Sequence, residues 1–147
     1  MTKLPIKIAC TERGADLPFP AYARTGDAGM DLHAAASVVL HPGCWGLVPC
    51  GIRAAIPPGY VGMVCPRSGL ALKAGVTVLN GPGIIDAGYR GEVSVVLINH
   101  NAQTFRACRG ERIAQLVVVP VVRVEWDEVD DLESTTRGEG GFGSSGQ

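Results

Sequence analysis

The chain has 147 residues, 46% of them hydrophobic and 18% charged, with a net charge of −1 at pH 7. These totals fit one soluble globular domain with a full core. They exclude the basic excess of a nucleic-acid binder and the polar composition of a disordered chain.

In chain order, the first residues, MTKLPIKIAC, mix charge, proline and apolar residues and lack the continuous apolar stretch of a signal peptide. Strand-like segments then follow one another: IKIAC (6–10), SVVLHPG (37–43), GLVPCGIRAAI (46–56), GYVGMVC (59–65), GVTVLN (75–80), GEVSVVLIN (91–99) and IAQLVVVPVVRV (113–124). They are rich in Val and Ile, and turn signals divide them at His41-Pro42-Gly43, Pro58-Gly59 and Gly81-Pro82-Gly83. One short helix is expected around Leu70–Lys73, ended by Gly75. With 20 glycines and 10 prolines there is little room for longer ones. The pattern predicts an all-β fold, a sandwich or barrel with a jelly roll among the options. The longest apolar run, LVVVPVV, is interrupted by Pro120 and too short to span a bilayer. Apolar periodicity stops near Trp126, which sets the expected boundaries: a β domain over 1–126 and a C-terminal arm over 127–147.

The five cysteines (Cys10, Cys44, Cys50, Cys65, Cys108) form no CxxC pair. They are expected to be reduced thiols in a cytoplasmic protein, most of them small core residues. His33, His41 and His100 stand apart and suggest no metal site. Gly138–Gly143 spells G-x-G-x-x-G, but without a following helix this is no dinucleotide fingerprint. Consecutive unhindered amides can still wrap a phosphate at close range. Asp86, Asp31 and Ser68 are each expected at strand–loop junctions bearing glycine, where a turn role competes with a chemical one. Arg67 places a charge at the end of a strand that reads as buried.

Five segments in order resemble the five motifs of the trimeric dUTPases: AGMDLHA (28–34), PRSGLALK (66–73), GPGIIDAGYRGEV (81–93), ERIAQLVVVP (111–120) and RGEGGFGSSG (137–146). Met30 departs mildly from the pattern, and the GSSG ending lies in a region that varies. The resemblance implies a jelly-roll subunit with a flexible C-terminal arm, a homotrimer with shared active sites, and Mg²⁺-dependent hydrolysis of dUTP to dUMP and pyrophosphate. No nucleic acid or membrane partner is implied.

Residue by residue, the resemblance makes Asp86 the general base for an in-line attack of water on the α-phosphorus. A carboxylate is ionised at neutral pH and can accept that proton. It sets Ser68 beside Asp86 in the catalytic group and lines the phosphate channel with Arg67, Ser68, Gly69 and Gln115. Asp31 would hold Mg²⁺ through coordinated water. Arg112 could touch phosphate or pin the chain by an ion pair. The hairpin Asn80, Gly83, Ile84, Ile85 and Asp86 would read uracil with its backbone, and Tyr89 would stack beneath the deoxyribose and exclude a 2′-hydroxyl. From the arm, Phe142 would stack on uracil, Arg137 would reach the phosphates, and Gly143 and Ser144 would wrap them. The arm is expected to be disordered until nucleotide binds.

Two rivals remain at this level. A dCTP deaminase shares the fold, but that group is longer, with Trp at the place of Tyr89. A non-catalytic jelly-roll module would be expected to have lost at least one of Asp31, Arg67, Ser68, Asp86, Tyr89 and Phe142.

Overall fold

The computed structural model describes residues 3–141. Its strands are β1 (Lys7–Cys10), β2 (Met30–His33), β3 (Val38–Leu40), β4 (Trp45–Pro49), β5 (Ile52–Ala55), β6 (Tyr60–Cys65), β7 (Val76–Val78), β8 (Gly83–Ile85), β9 (Ser94–Asn99), β10 (Phe105–Ala107) and β11 (Arg112–Pro120). One α-helix, α1 (Ser68–Ala74), follows β6. It ends where the left-handed Gly75 donates its N–H to the carbonyls of Ala71 and Leu70, as the sequence pattern predicts.

The strands pair antiparallel throughout, in four sheets ordered β2-β11-β6-β8, β4-β9-β7, β1-β5 and β10-β3. Alternation explains how they pack. In β9, Val95, Leu97 and Asn99 point inward while Ser94, Val96 and Ile98 do not. The inward faces join Leu32, Leu40, Val48, Ile56, Val64, Val76 and Ile113 in one apolar core. Burying such side chains supplies roughly 1.5–3 kcal/mol each. Among the described residues, Asn99 is the polar side chain fully buried beside it. Its amide nitrogen donates to the carbonyls of Leu40 and Gln103 at 2.9 and 2.8 Å, and its oxygen accepts the Asn101 N–H at 2.9 Å. The side chain therefore closes the β9–β10 turn from within.

The long segment expected over 46–56 is two strands, because Gly51 at φ +72° turns the chain between β4 and β5. The last strand stops at Pro120, and residues 121–139 are exposed and carry no helix or strand. Val122, Val124 and Trp126, expected inside the core, lie outside it, with Trp126 89% exposed. Their alternation is real, but among the described residues no strand pairs with it. The cysteines also depart from expectation. All five are free, but Cys50 alone is buried, while Cys44 and Cys108 are exposed. Burial, reinforced by the nearby Glu92 carboxylate, pushes the Cys50 thiol up to about 12. No helix among the described residues is long and apolar enough to cross a membrane.

Candidate active site

Two clusters gather the residues singled out from the sequence. The first is electrostatic. Asp31 lies within β2, not at its junction with a loop, and pairs with Gln115 of β11, which in turn pairs with Cys65 of β6. Three strands thus bring Asp31, Gln115 and the chain leading into Arg67 side by side. Arg67 occupies the N-cap of α1 in extended conformation, and its side chain reaches back across the sheet. Its Nε donates to Asp31 Oδ1 at 3.0 Å, and its Nη1 to the Arg112 carbonyl at 3.1 Å. Arg112 completes the clamp, with Nη1 3.3 Å from Asp31 Oδ2.

The Asp31 carboxylate is 13% exposed and Arg67 24%, whereas Arg112 is 54% exposed. The Arg67 contact is therefore the stronger, since solvent screens the other. Arg112 acts here as a partner of Asp31, one of the two roles left open by the sequence. Ser68 and Gly69 start α1 and are both exposed, and a Cβ placed on Gly69 meets nothing within 4 Å.

Beside the clamp is a cavity of about 410 Å³ lined by His33, Arg67, Leu70, Phe105, Arg106 and Arg112. Among the described residues, His33 Nδ1 is the buried side-chain polar atom without a hydrogen-bond partner. Burial pushes the imidazole below its usual range, the Arg112 and Arg67 charges add to that, and Asp31 opposes it. Arg106 carries no motif signal, and only the β10–β3 pairing brings it here.

The second cluster is the hairpin. β8 pairs with β6 through Gly62–Ile85, Met63–Ile84 and Val64–Gly83, and Asp86 follows directly at the strand's end, as expected. The Asp86 carbonyl accepts the Tyr89 N–H at 3.0 Å, closing a turn, and the carboxylate is exposed. Gly83 is buried, and a Cβ there would stand 3.2 Å from the Asn80 amide nitrogen, so glycine lets the two approach without displacing that side chain. Together with Ile84, Ile85, Tyr89 and Leu47 they line a cavity of about 320 Å³. Tyr89 Oη donates to the Glu92 carbonyl at 3.0 Å.

The two clusters do not meet on one chain. β2 and β8 are opposite edges of the four-stranded sheet, three strand spacings or roughly 14 Å apart. Asp86 comes level with Val61, one residue beyond the Ile85–Gly62 pair, while Asp31 is level with Cys65 through Gln115, a further separation of roughly 13 Å along β6. The cavities share no residue. Arg137 is in the described part of the arm and donates from Nε to the Gly140 carbonyl at 2.8 Å, apart from both clusters. Phe142, Gly143 and Ser144 lie outside the described residues.

The profile of the dUTPase family matches residues 15–146. The chain belongs to the dUTPase family. A deoxyuridine 5′-triphosphate nucleotidohydrolase of Methylocella silvestris is 56% identical over 97% of this chain and 92% of its own length. One from Gloeothece citriformis is 50% identical over 97% of both chains. Among solved structures, a variant of the Staphylococcus bacteriophage 80alpha dUTPase with dUpNHpp superposes with a TM-score of 0.89 at 29% identity, covering 99% of this chain and all of the other. A variant dUTPase of phage phi11, with a coordinated structural Mg(II) ion, is similar at a TM-score of 0.79 and 26% identity over 89% of this chain. These likenesses agree with the all-β reading of the dUTPase subunit.

Whether the dUTPase residues suit a magnesium ion is decided by their chemistry. Among the described residues, no three His, Cys, Asp or Glu side chains gather around one point. Asp31 nonetheless fits a cation that arrives on phosphate oxygens. Each of its oxygens accepts one guanidinium N–H and keeps a further lone pair for metal-bound water.

Proposed function

We propose that the protein hydrolyses dUTP to dUMP and pyrophosphate at sites assembled from more than one copy, with Mg²⁺ carried by the substrate phosphates. The supply of dUMP for thymidylate and the removal of dUTP before it enters DNA follow from that reaction. The observation that carries this reading is that the motif residues fall into two separate groups on one chain, Asp31, Arg67, Ser68, Gly69 and Gln115 around the clamp and Asn80, Gly83–Asp86 and Tyr89 around the hairpin, with the strands that bear Asp31 and the hairpin on opposite edges of one sheet. A homotrimer that sets the hairpin of one subunit against the Asp31–Arg67 clamp of its neighbour makes one site from two halves. Gly69 fits the same picture, since nothing among the described residues of its own chain requires a glycine there.

In the assembled site Asp86 takes the proton of the attacking water, which its exposed carboxylate is free to do. Arg67, Ser68, Gly69 and Gln115 receive the phosphates, Arg67 with a fork suited to two phosphate oxygens. Bound magnesium would neutralise the charge that develops on the leaving pyrophosphate. Asp31 fixes the Arg67 guanidinium and would hold bound magnesium through coordinated water. The backbone around Asn80 and Gly83–Ile85 reads the uracil edge, where cytosine would leave buried groups unpaired at about 1–3 kcal/mol each. Tyr89 faces the sugar. The arm, with Arg137, Phe142, Gly143 and Ser144, closes over the bound nucleotide.

The test is turnover of dUTP, dCTP, dTTP and UTP side by side with Mg²⁺, following pyrophosphate and ammonia. Pyrophosphate from dUTP alone is expected, and Asp86→Asn should lower turnover by about 10²-fold or more while dUTP still binds. Ammonia from dCTP would replace this reading with a deaminase. Near-normal turnover by Asp86→Asn would remove Asp86 as the base. Sedimentation showing an active monomer would refute the shared site.

A further inference from the structure

Tyr89 can discriminate sugars only if its ring sits at a fixed height, yet it belongs to an exposed turn and is 45% exposed itself. Two neighbours hold it. A methyl group on Gly91 would overlap the Tyr89 hydroxyl and the ring carbons beside it, so the hydroxyl end of the ring packs against that glycine. The hydroxyl in turn donates to the Glu92 carbonyl at 3.0 Å.

The Glu92 backbone is itself tied down from the far side of the chain. Glu92 Oε1 accepts the Thr11 hydroxyl at 3.1 Å and the Gly51 N–H at 3.0 Å. Gly51 also accepts the Thr11 N–H through its carbonyl at 2.8 Å. The three segments that follow β1, link β4 to β5 and precede β9 therefore converge on one carboxylate oxygen. Next to it, Val93 exchanges backbone bonds with Ile52 and Cys50 at 2.8 and 2.9 Å. The knot is partly buried, where such bonds resist solvent competition.

We propose that Glu92 is a positioning residue for sugar discrimination: its carboxylate, held by Thr11 and Gly51, fixes the carbonyl on which the Tyr89 hydroxyl rests and so sets the ring against a 2′-hydroxyl. The inference rests on the reading of Tyr89 as the sugar platform. Glu92 touches neither the reacting phosphorus nor the attacking water in that reading and acts through Tyr89.

The experiment compares kcat/KM for dUTP and for UTP in the full-length protein with Mg²⁺. Glu92→Ala should lower the dUTP-to-UTP ratio roughly tenfold, mainly through KM and through a rise in UTP use. Glu92→Gln, which keeps the acceptor oxygen and the shape, should restore the ratio to within about twofold of wild type. Thr11→Val removes one of the two donors and should shift the ratio by about two- to threefold. In a double-mutant cycle, Tyr89→Phe and Glu92→Ala should be non-additive, since each breaks the same link. An unchanged ratio in folded Glu92→Ala overturns the proposal. If that variant fails to fold, an unchanged ratio in Thr11→Val overturns it instead. Failure of wild-type protein to hydrolyse dUTP would strike the underlying reading, whereas turnover with an unmoved ratio strikes this inference alone.

Discussion

Replacing Asp31 by Asn keeps its shape and removes its charge, which isolates what the two guanidiniums gain from the carboxylate. The Arg67 contact, 3.0 Å long with both groups largely covered, is a charge-assisted bond worth about 1.5–3 kcal/mol. An Asn oxygen still accepts from Nε, so about half of that should survive. On the other side the Asn amide would set an N–H against Arg112 Nη1, donor against donor. Arg112 is 54% exposed and can swing into water, so losing this pair should cost no more than about 1 kcal/mol. The sum is about 2 kcal/mol, readable as a lower urea midpoint at constant slope. The same change should raise the Mg²⁺ concentration needed for half-maximal turnover, because a neutral amide attracts metal-bound water less than a carboxylate does. Titrating Mg²⁺ against dUTP turnover gives that value. A variant as stable as wild type with the same Mg²⁺ requirement would refute both roles of Asp31.

Two further predictions concern the fold. Asn99→Ala should cost about 3 kcal/mol or more in urea unfolding, since it strips partners from the Leu40 and Gln103 carbonyls and the Asn101 N–H. A loss below about 1 kcal/mol would mean the β9–β10 turn does not depend on that side chain. Cys50 should make the protein sensitive to alkali. Its thiol ionises at about 12 in the fold against 9.0 when solvated, so the unfolded chain gives up its proton first. The stabilisation is complete below pH 9 and declines as pH rises toward 12. Unfolding measured across that window should show the decline in wild type and less of it in Cys50→Ala. With a thiol reagent at neutral pH, Cys44 and Cys108 should react before Cys50.

Local chemistry made much of this protein legible before any coordinates. Val/Ile runs cut by Pro-Gly and Gly-Pro pairs could form little except short strands, and Gly75 could end only a short helix. Asp86 was placed at the end of a strand because two isoleucines precede it and Ala-Gly follows. The short strand around Arg106 was not foreseen, and Asp31 was expected at the edge of a strand and not within it, because residues this few hold strand geometry only when a distant partner supplies the hydrogen bonds. The same reason governs the end of the core. Val122, Val124 and Trp126 alternate as a strand does, but alternation fixes which face is apolar and cannot provide the sheet that covers it. Motifs told which side chains matter, and tertiary pairing decided which of them touch. Arg67 and Arg112 meet on Asp31 across 36 and 81 residues, and Thr11 meets Glu92 across 81. Such contacts depend on register between strands far apart in the chain, and no local window of sequence contains that register.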